Sequence, residues 1–183
     1  MHKIVRSFLL TSALSILGLA VSAQSVFADK SYSIDSVSID AEVKNDGSMT
    51  VRETREYDFE GDYRFAYQTI KFKPDQAKDP QRTEEYRLHN FSICEAKDCY
   101  QQLDSNQVNW SAPRENPDQT FTVVQRSDEY FVQWHFRANS VTKYFTLQYE
   151  VENAVTRHSD IAELYWQWIG SAWEQQNNNV RVR

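Results

Sequence analysis

Glycine is scarce in this chain, with four residues in 183. That scarcity excludes the glycine-rich loops that cradle phosphates, and there is no G-x-S-x-G nucleophile elbow either. Histidine is equally thin. His89, His135 and His158 stand isolated, with no HExxH and no paired-cysteine spacing to suggest a metal centre. They are expected on strand faces or at the surface, and no cofactor is implied. Cysteine is limited to Cys94 and Cys99. Beyond the first two dozen residues no apolar run is long enough to cross a bilayer, which takes roughly 20 residues.

What is present begins with an unusual amino terminus. Lys3 and Arg6 precede the apolar stretch Phe8–Val21, and two small-residue cleavage sites follow, Val21-Ser22-Ala23 and Val26-Phe27-Ala28. A positive start, a short apolar middle and an A-x-A-like end form a secretory signal peptide. The stretch is short for a membrane span, and no cysteine follows it to carry a lipid. Residues 1–28 are therefore expected to be removed. Residues 29–183 then make one extracytoplasmic domain, starting at Asp29, with Gln24 as second choice.

The leader carries two of the 20 Lys and Arg and none of the 26 Asp and Glu, so residues 29–183 have a net charge of −8. Such a surface repels phosphate backbones and anionic headgroups, which argues against nucleic acid as a partner. Mean hydropathy is low, −0.69, yet 14% of the residues are aromatic. Disordered chains are poor in aromatics, so a folded domain with a ring-rich core is expected.

Alternation sets the fold class. From Phe145 to Val151 every odd residue is apolar and every even one polar. Tyr130, Val132, Trp134 and Phe136 alternate with Phe131, Gln133 and His135. Each segment reads as a strand with one face to a core and one to water. Ile39, Ala41 and Val43 lead through Asn45-Asp46-Gly47-Ser48 into Met49, Val51, Tyr57 and Phe59, a hairpin signal. Phe121–Gln125, the turn Arg126-Ser127-Asp128-Glu129, and Tyr130 onward predict a second hairpin, and Leu88–Ala96 a further strand. Residues 73–87 and 104–120, with two prolines each, read as long polar surface loops. Ile161, Leu164, Tyr165 and Trp168 fall at helical spacing, with Asp160 and Glu163 as a capping pair. A turn at Asp160 followed by a strand over 164–169 fits as well. Six or more short strands with hairpin turns predict a mainly β, antiparallel β-sandwich, with one short helix near the C-terminus left open.

Three groups of residues carry candidate chemistry. An exported chain meets an oxidising environment, and Cys94 and Cys99 flank a four-residue reversal, so a disulfide is expected. Glu53 lies in phase with the inward Met49, Val51, Tyr57 and Phe59, and Arg55 shares that phase. An ion pair of Glu53 with Arg55 at a sheet edge is preferred over a poised catalytic acid. Trp166, Trp168 and Trp173 crowd into eight residues. Exposed, they would form a ligand platform for sugars; burial in the core is the preferred reading.

The order of features also carries a resemblance. A leader is followed by Tyr32-Ser33-Ile34, then by Asp46-Gly47-Ser48-Met49-Thr50-Val51-Arg52-Glu53 and Tyr57-Asp58-Phe59-Glu60-Gly61. Near the end stand Asp160-Ile161-Ala162-Glu163-Leu164-Tyr165-Trp166, Ile169-Gly170 and Trp173. In these motifs the chain resembles the amino-terminal extracytoplasmic domain of a family of bacterial predicted membrane proteins of unknown function (the DUF2207 type). The resemblance implies a β-rich outer domain followed by transmembrane helices, hence membrane attachment. It implies no catalytic residue, substrate or cofactor.

These readings lead to a non-enzymatic cell-envelope domain, partnered by an envelope protein. A cell-wall glycan-binding module using the Trp-rich segment is the alternative, and a hydrolase with dispersed acidic residues ranks last. Alternation restarts at Asn179–Arg183, so the domain is expected to be incomplete at its C-terminal end.

Overall fold

The computed structural model describes residues 30–78, 80 and 82–183; the expected signal peptide over residues 1–28, and Asp29, lie outside the described residues. Strand β1 (Ser31–Val43) turns back into β2 (Met49–Lys71) as an antiparallel hairpin, with Val43 opposite Met49. Asp46-Gly47 supplies the reversal. The Lys44 N–H donates to the Ser48 carbonyl, and Gly47 takes φ +82°, a conformation that strains any side chain.

The remaining strands are β3 (Arg87–Glu95), β4 (Asp98–Cys99), β5 (Gln101–Gln102), β6 (Thr120–Gln125), β7 (Glu129–Glu152), β8 (Val155–Arg157), β9 (Ala162–Leu164) and β10 (Val180–Val182). The expected hairpin across Arg126–Glu129 is present, with Val123 opposite Val132. The fold is mainly β, as alternation predicts.

The strands are not uniformly short, however. β2 and β7 run 23 and 24 residues and pair with each other twice. Their first arm joins Met49–Phe59 to Val141–Val151, and their second joins Asp62–Lys71 to Glu129–Asn139. Bulges at Phe59/Asp62 and Tyr63/Phe65 bend the pair between the arms. Gly61 sits at the bend with φ +89°, and its N–H donates to the Ser140 hydroxyl at 3.0 Å. The polar residues here bend the strands without breaking them.

Bending folds one sheet into two facing layers. One layer has the order β10-β1-β2-β7-β3-β4; the other consists of the second arms of β2 and β7, then β6 and β5. Phe136 and Phe145 belong to one strand, yet their rings lie 4.7 Å apart across the layers. Phe91 of β3 reaches Tyr130 at 5.5 Å in the same way. The core between the layers is rich in rings, led by Trp134, Tyr149 and Phe136. Two short pairings, β1 with β10 and β5 with β6, are parallel, so the sandwich is predominantly rather than wholly antiparallel.

Two further expectations are corrected. Phe131, Gln133 and His135 do not face water; every residue from 131 to 136 is buried. Residues 104–119 cover that outer face, with 3₁₀ turns at Ser105–Gln107 and Pro113–Glu115. Trp110 lies 6.2 Å from Phe131, and Asn116 reaches His135. The second concerns residues 160–169, where the sequence leaves helix and strand both open: they form no helix, and after a bend at 159–160 the strand is Ala162–Leu164 rather than 164–169. That strand pairs with β8, and Ile161 and Leu164 are exposed. The segment continues as an irregular strap, residues 165–179, whose Trp166, Trp168, Ile169 and Trp173 pack against the core, and it ends in β10 beside β1. Val180 and Val182 of β10 stand largely exposed.

Candidate functional site

The strap and the bend of β2 meet at the one place among the described residues where opposite charges are buried together. Glu53, Arg55 and Tyr57 alternate onto the inner face of the first arm of β2, and Gln68 lies on the inner face of its second arm. Folding the strand brings Gln68 onto the other two. One Arg55 nitrogen, Nη1, donates to Glu53 Oε2 at 2.5 Å and to Gln68 Oε1 at 3.0 Å. Gln68 Nε2 donates to Glu53 Oε2 at 2.9 Å, and the Tyr149 hydroxyl donates to Glu53 Oε1 at 2.6 Å. Glu53 and Arg55 are 3% and 2% exposed. A pair so deep persists because each charge has the other and added hydrogen bonds. Burial, then the Glu53 carboxylate that its hydroxyl touches, pushes the Tyr149 phenol well above its usual range, so Tyr149 stays a donor.

The preferred reading of Glu53 as an ion-paired residue is what the structure has, but not at a sheet edge. β2 lies between β1 and β7, and Glu53 is flanked by Ile39 and Leu147. Gln68 and Tyr149 were missed by motif reasoning. Gln68 did leave a signal: an amide two residues before the apolar Ile70, on its face of the strand.

The strap closes over this cluster. Trp173 lies with its ring 4.6 Å from the Arg55 guanidinium carbon, a cation–π contact. Trp166 stands edge-on to Tyr86 at 4.9 Å, and the Tyr86 hydroxyl donates to the Tyr165 carbonyl at 2.5 Å. Arg82 stacks on the other part of this latch, 3.9 Å from the Tyr86 ring. Gly170 passes close to the β2 backbone, where an added Cβ would meet the Thr69 carbonyl oxygen at 3.7 Å. Trp166, Trp168 and Trp173 are thus partly buried against the core and form no row of exposed rings.

Two cavities flank the strap and share Gln68, Thr69, Gly170 and Ala172 as their common wall. The first, of about 280 Å³, is walled by Tyr32, Tyr57, Phe59, Tyr63, Tyr67 and Trp173. The second, of about 460 Å³, is more polar; Glu53 and Tyr149 border it from below, and Trp166, Trp168 and Gln167 from the strap.

The other sequence candidates lie elsewhere. Cys94 and Cys99 face each other across β3 and β4 with their sulfurs at bonding distance, 2.01 Å. His89 lies beside Glu152, His158 beside Glu163, and His135 is buried among Thr120, Asn116 and Gln133. No group of three metal-binding side chains occurs among the described residues. Nor is any helix among them long and apolar enough to cross a membrane.

Among known families, the profile described as "Predicted membrane protein (DUF2207) N-terminal domain" matches residues 33–183. Among curated proteins none matches the chain.

Proposed function

The chain belongs to the DUF2207 family of predicted membrane protein N-terminal domains, and from that premise we propose that it is a non-enzymatic recognition domain on the outer side of the cell membrane. The leader over residues 1–28 supports export. The observation that carries the non-enzymatic reading is the state of Glu53. Both carboxylate oxygens are occupied by donors from this chain, Tyr149 on one and Arg55 with Gln68 on the other. A general acid or base must offer a proton or lone pair to substrate within about 3 Å, and here that capacity is spent on holding the strap and the bend together. The site is a clasp beneath two cavities.

The test combines location with turnover. Expressed in an export-competent host, the protein should reach the envelope with an intact mass beginning at Asp29, and yield to protease added from outside. It should turn over no chromogenic ester, phosphoester or glycoside. Retention of Met1–Ala28 inside the cell would refute the location. Turnover abolished by Glu53→Gln in a folded protein would refute the non-enzymatic reading.

A second reading, a cell-wall glycan module, is favoured by the larger cavity, where Trp166 and Trp168 meet the hydrogen-bonding side chains of Gln68 and Gln167. Sugar recognition uses that combination of an aromatic face and planar polar groups. Saturable quenching of tryptophan emission by peptidoglycan fragments, lost in Trp168→Ala, would establish it. No response at millimolar fragment would remove it.

A further inference from the structure

The smaller cavity differs from the larger in what its walls lack. Buried polar groups are nearly always hydrogen-bonded, and each exception calls for a partner. Around this cavity several donors have none. Tyr57 lines it, is 2% exposed, and its hydroxyl has no hydrogen-bond partner. Arg55 is not part of the lining; it lies next to Tyr57 in phase and under the Trp173 ring, which does line the cavity. Its Nη1 serves Glu53 and Gln68, while Nε and Nη2 are buried without an acceptor. Arg64, also in the lining, has a buried Nε with no acceptor. The three guanidinium nitrogens can only donate, and a phenol donates readily.

Charge points the same way. Residues 29–183 carry net negative charge, yet the lining holds Lys30, Arg64 and Arg114 against Glu174 alone. Arg114 is held by Asp62, and Lys30 by the Asp62 carbonyl. Arg64 has only a distant partner, Asp118 at 3.9 Å. The lining itself is thus richer in cations than the domain as a whole, with Asp62 and Asp118 set behind two of them.

Shape narrows the occupant. Tyr57 and Phe59 stack parallel at 5.6 Å, Tyr32 stands edge-on to Tyr63 at 6.0 Å, and Trp173 forms part of the strap side. Such walls accept a flat apolar body. A volume of about 280 Å³ is nearly twice the ~150 Å³ that accommodates one benzene ring, which suits two fused rings or their equivalent.

We propose that this cavity is a binding site for a small carboxylate with a flat apolar body, the body between the tyrosine rings and Trp173, and the carboxylate accepting from the Tyr57 hydroxyl and the open N–H of Arg64. The site is separate from the glycan cleft across the strap, and stands whether or not that reading holds. A carboxylate suits it because it only accepts, and because a charged acceptor gains most from donors that water does not reach.

The experiment is calorimetric titration of the exported protein with 2-naphthoate, and with its neutral counterpart 2-naphthylmethanol. Naphthoate should bind one per chain, at least tenfold tighter than the alcohol. Tyr57→Phe and Arg64→Gln should each weaken naphthoate about fivefold or more and leave the alcohol within twofold. Arg64 is only half-buried, so its variant keeps the comparison usable if Tyr57→Phe folds poorly. Trp168→Ala, across the strap, should leave naphthoate affinity within twofold. Absence of saturation at millimolar naphthoate, equal affinity for the two probes, or unchanged naphthoate affinity in Arg64→Gln would each overturn the proposal.

Discussion

Replacing Glu53 by glutamine should be among the costliest single changes in this domain, although it alters one atom. The substitution keeps the shape of the side chain and removes its charge. Arg55 then remains ionised at 2% exposure, facing two amide oxygens instead of a carboxylate. Charge centres roughly 4 Å apart attract by about 4 kcal/mol at an effective dielectric of 20. The charge-assisted bond from Tyr149 also becomes a neutral one, a loss of about 1 kcal/mol. Part of this returns as the carboxylate's own desolvation is relieved, so we expect about 3–5 kcal/mol, the range seen when one partner of a buried pair is removed. Arg55→Met should cost a similar amount, because it strands the carboxylate and removes the contact with Trp173. The double variant Glu53→Gln/Arg55→Met leaves no buried charge. Its cost should fall well below the sum of the singles, near 1–3 kcal/mol, giving a coupling energy of at least about 3 kcal/mol. Urea unfolding followed by tryptophan emission and by circular dichroism measures all four proteins, with equal m-values required. A loss below 1 kcal/mol in Glu53→Gln, or additivity of the two singles, would show that the pair behaves like an exposed one, and the clasp argument would fail.

Other outcomes follow from single features. Burial holds His135 below its ordinary pKa of 6.5, so the unfolded chain binds a proton that the folded one resists. Stability should be full above about pH 6.5 and decline as pH falls from there towards the folded pKa; an equal decline from pH 7.5 to 5.5 in a folded His135→Gln variant would assign the effect elsewhere. Alkylation without reductant should label neither Cys94 nor Cys99, and Cys94→Ser/Cys99→Ser should cost about 2 kcal/mol, as expected for so short a loop; labelling of both in freshly purified protein would reject the pairing. Tyr86→Phe removes the bond to the Tyr165 carbonyl and should cost about 1 kcal/mol while raising iodide quenching of the strap tryptophans; unchanged quenching would mean that the latch is not what holds the strap.

The fold class was legible because its cause is local. Alternation at Phe145–Val151 and the Asp46-Gly47 turn act over a few residues, and both appear in the structure as read. The strand lengths were not legible for an equally physical reason. At Gly61–Tyr63 and at Asn139–Tyr144 the inner and outer faces are both partly wet, so period-two contrast fades while the strands continue through the bulges. The burial of Gln133 and His135 was hidden because it depends on residues 104–119 folding back over β7. Polar side chains there signal water only until a second layer of amides and hydroxyls replaces it, as Asn116 and Thr120 do.

The site tests the same distinction more sharply. Glu53 and Arg55 could be picked out because a charged pair in phase with four apolar residues is anomalous within a single strand. That they would be central rather than at an edge depends on β10, β1 and β7 flanking them, which no seven-residue window contains. Gln68 stands 15 residues away on the same strand and meets them only because bulges near Gly61 fold β2 on itself. The tryptophans show the converse. Their clustering is local and conspicuous, yet where their rings pack is decided by distant partners, Arg55 for Trp173 and Tyr86 for Trp166. Chemistry confined to one strand face was therefore visible in advance, whereas chemistry assembled by the bend was visible only as a polar residue on an apolar face. That signal is worth weighing in any long strand interrupted by glycine: an unexplained inward amide marks where the strand's own far half, or a ligand, supplies its partner.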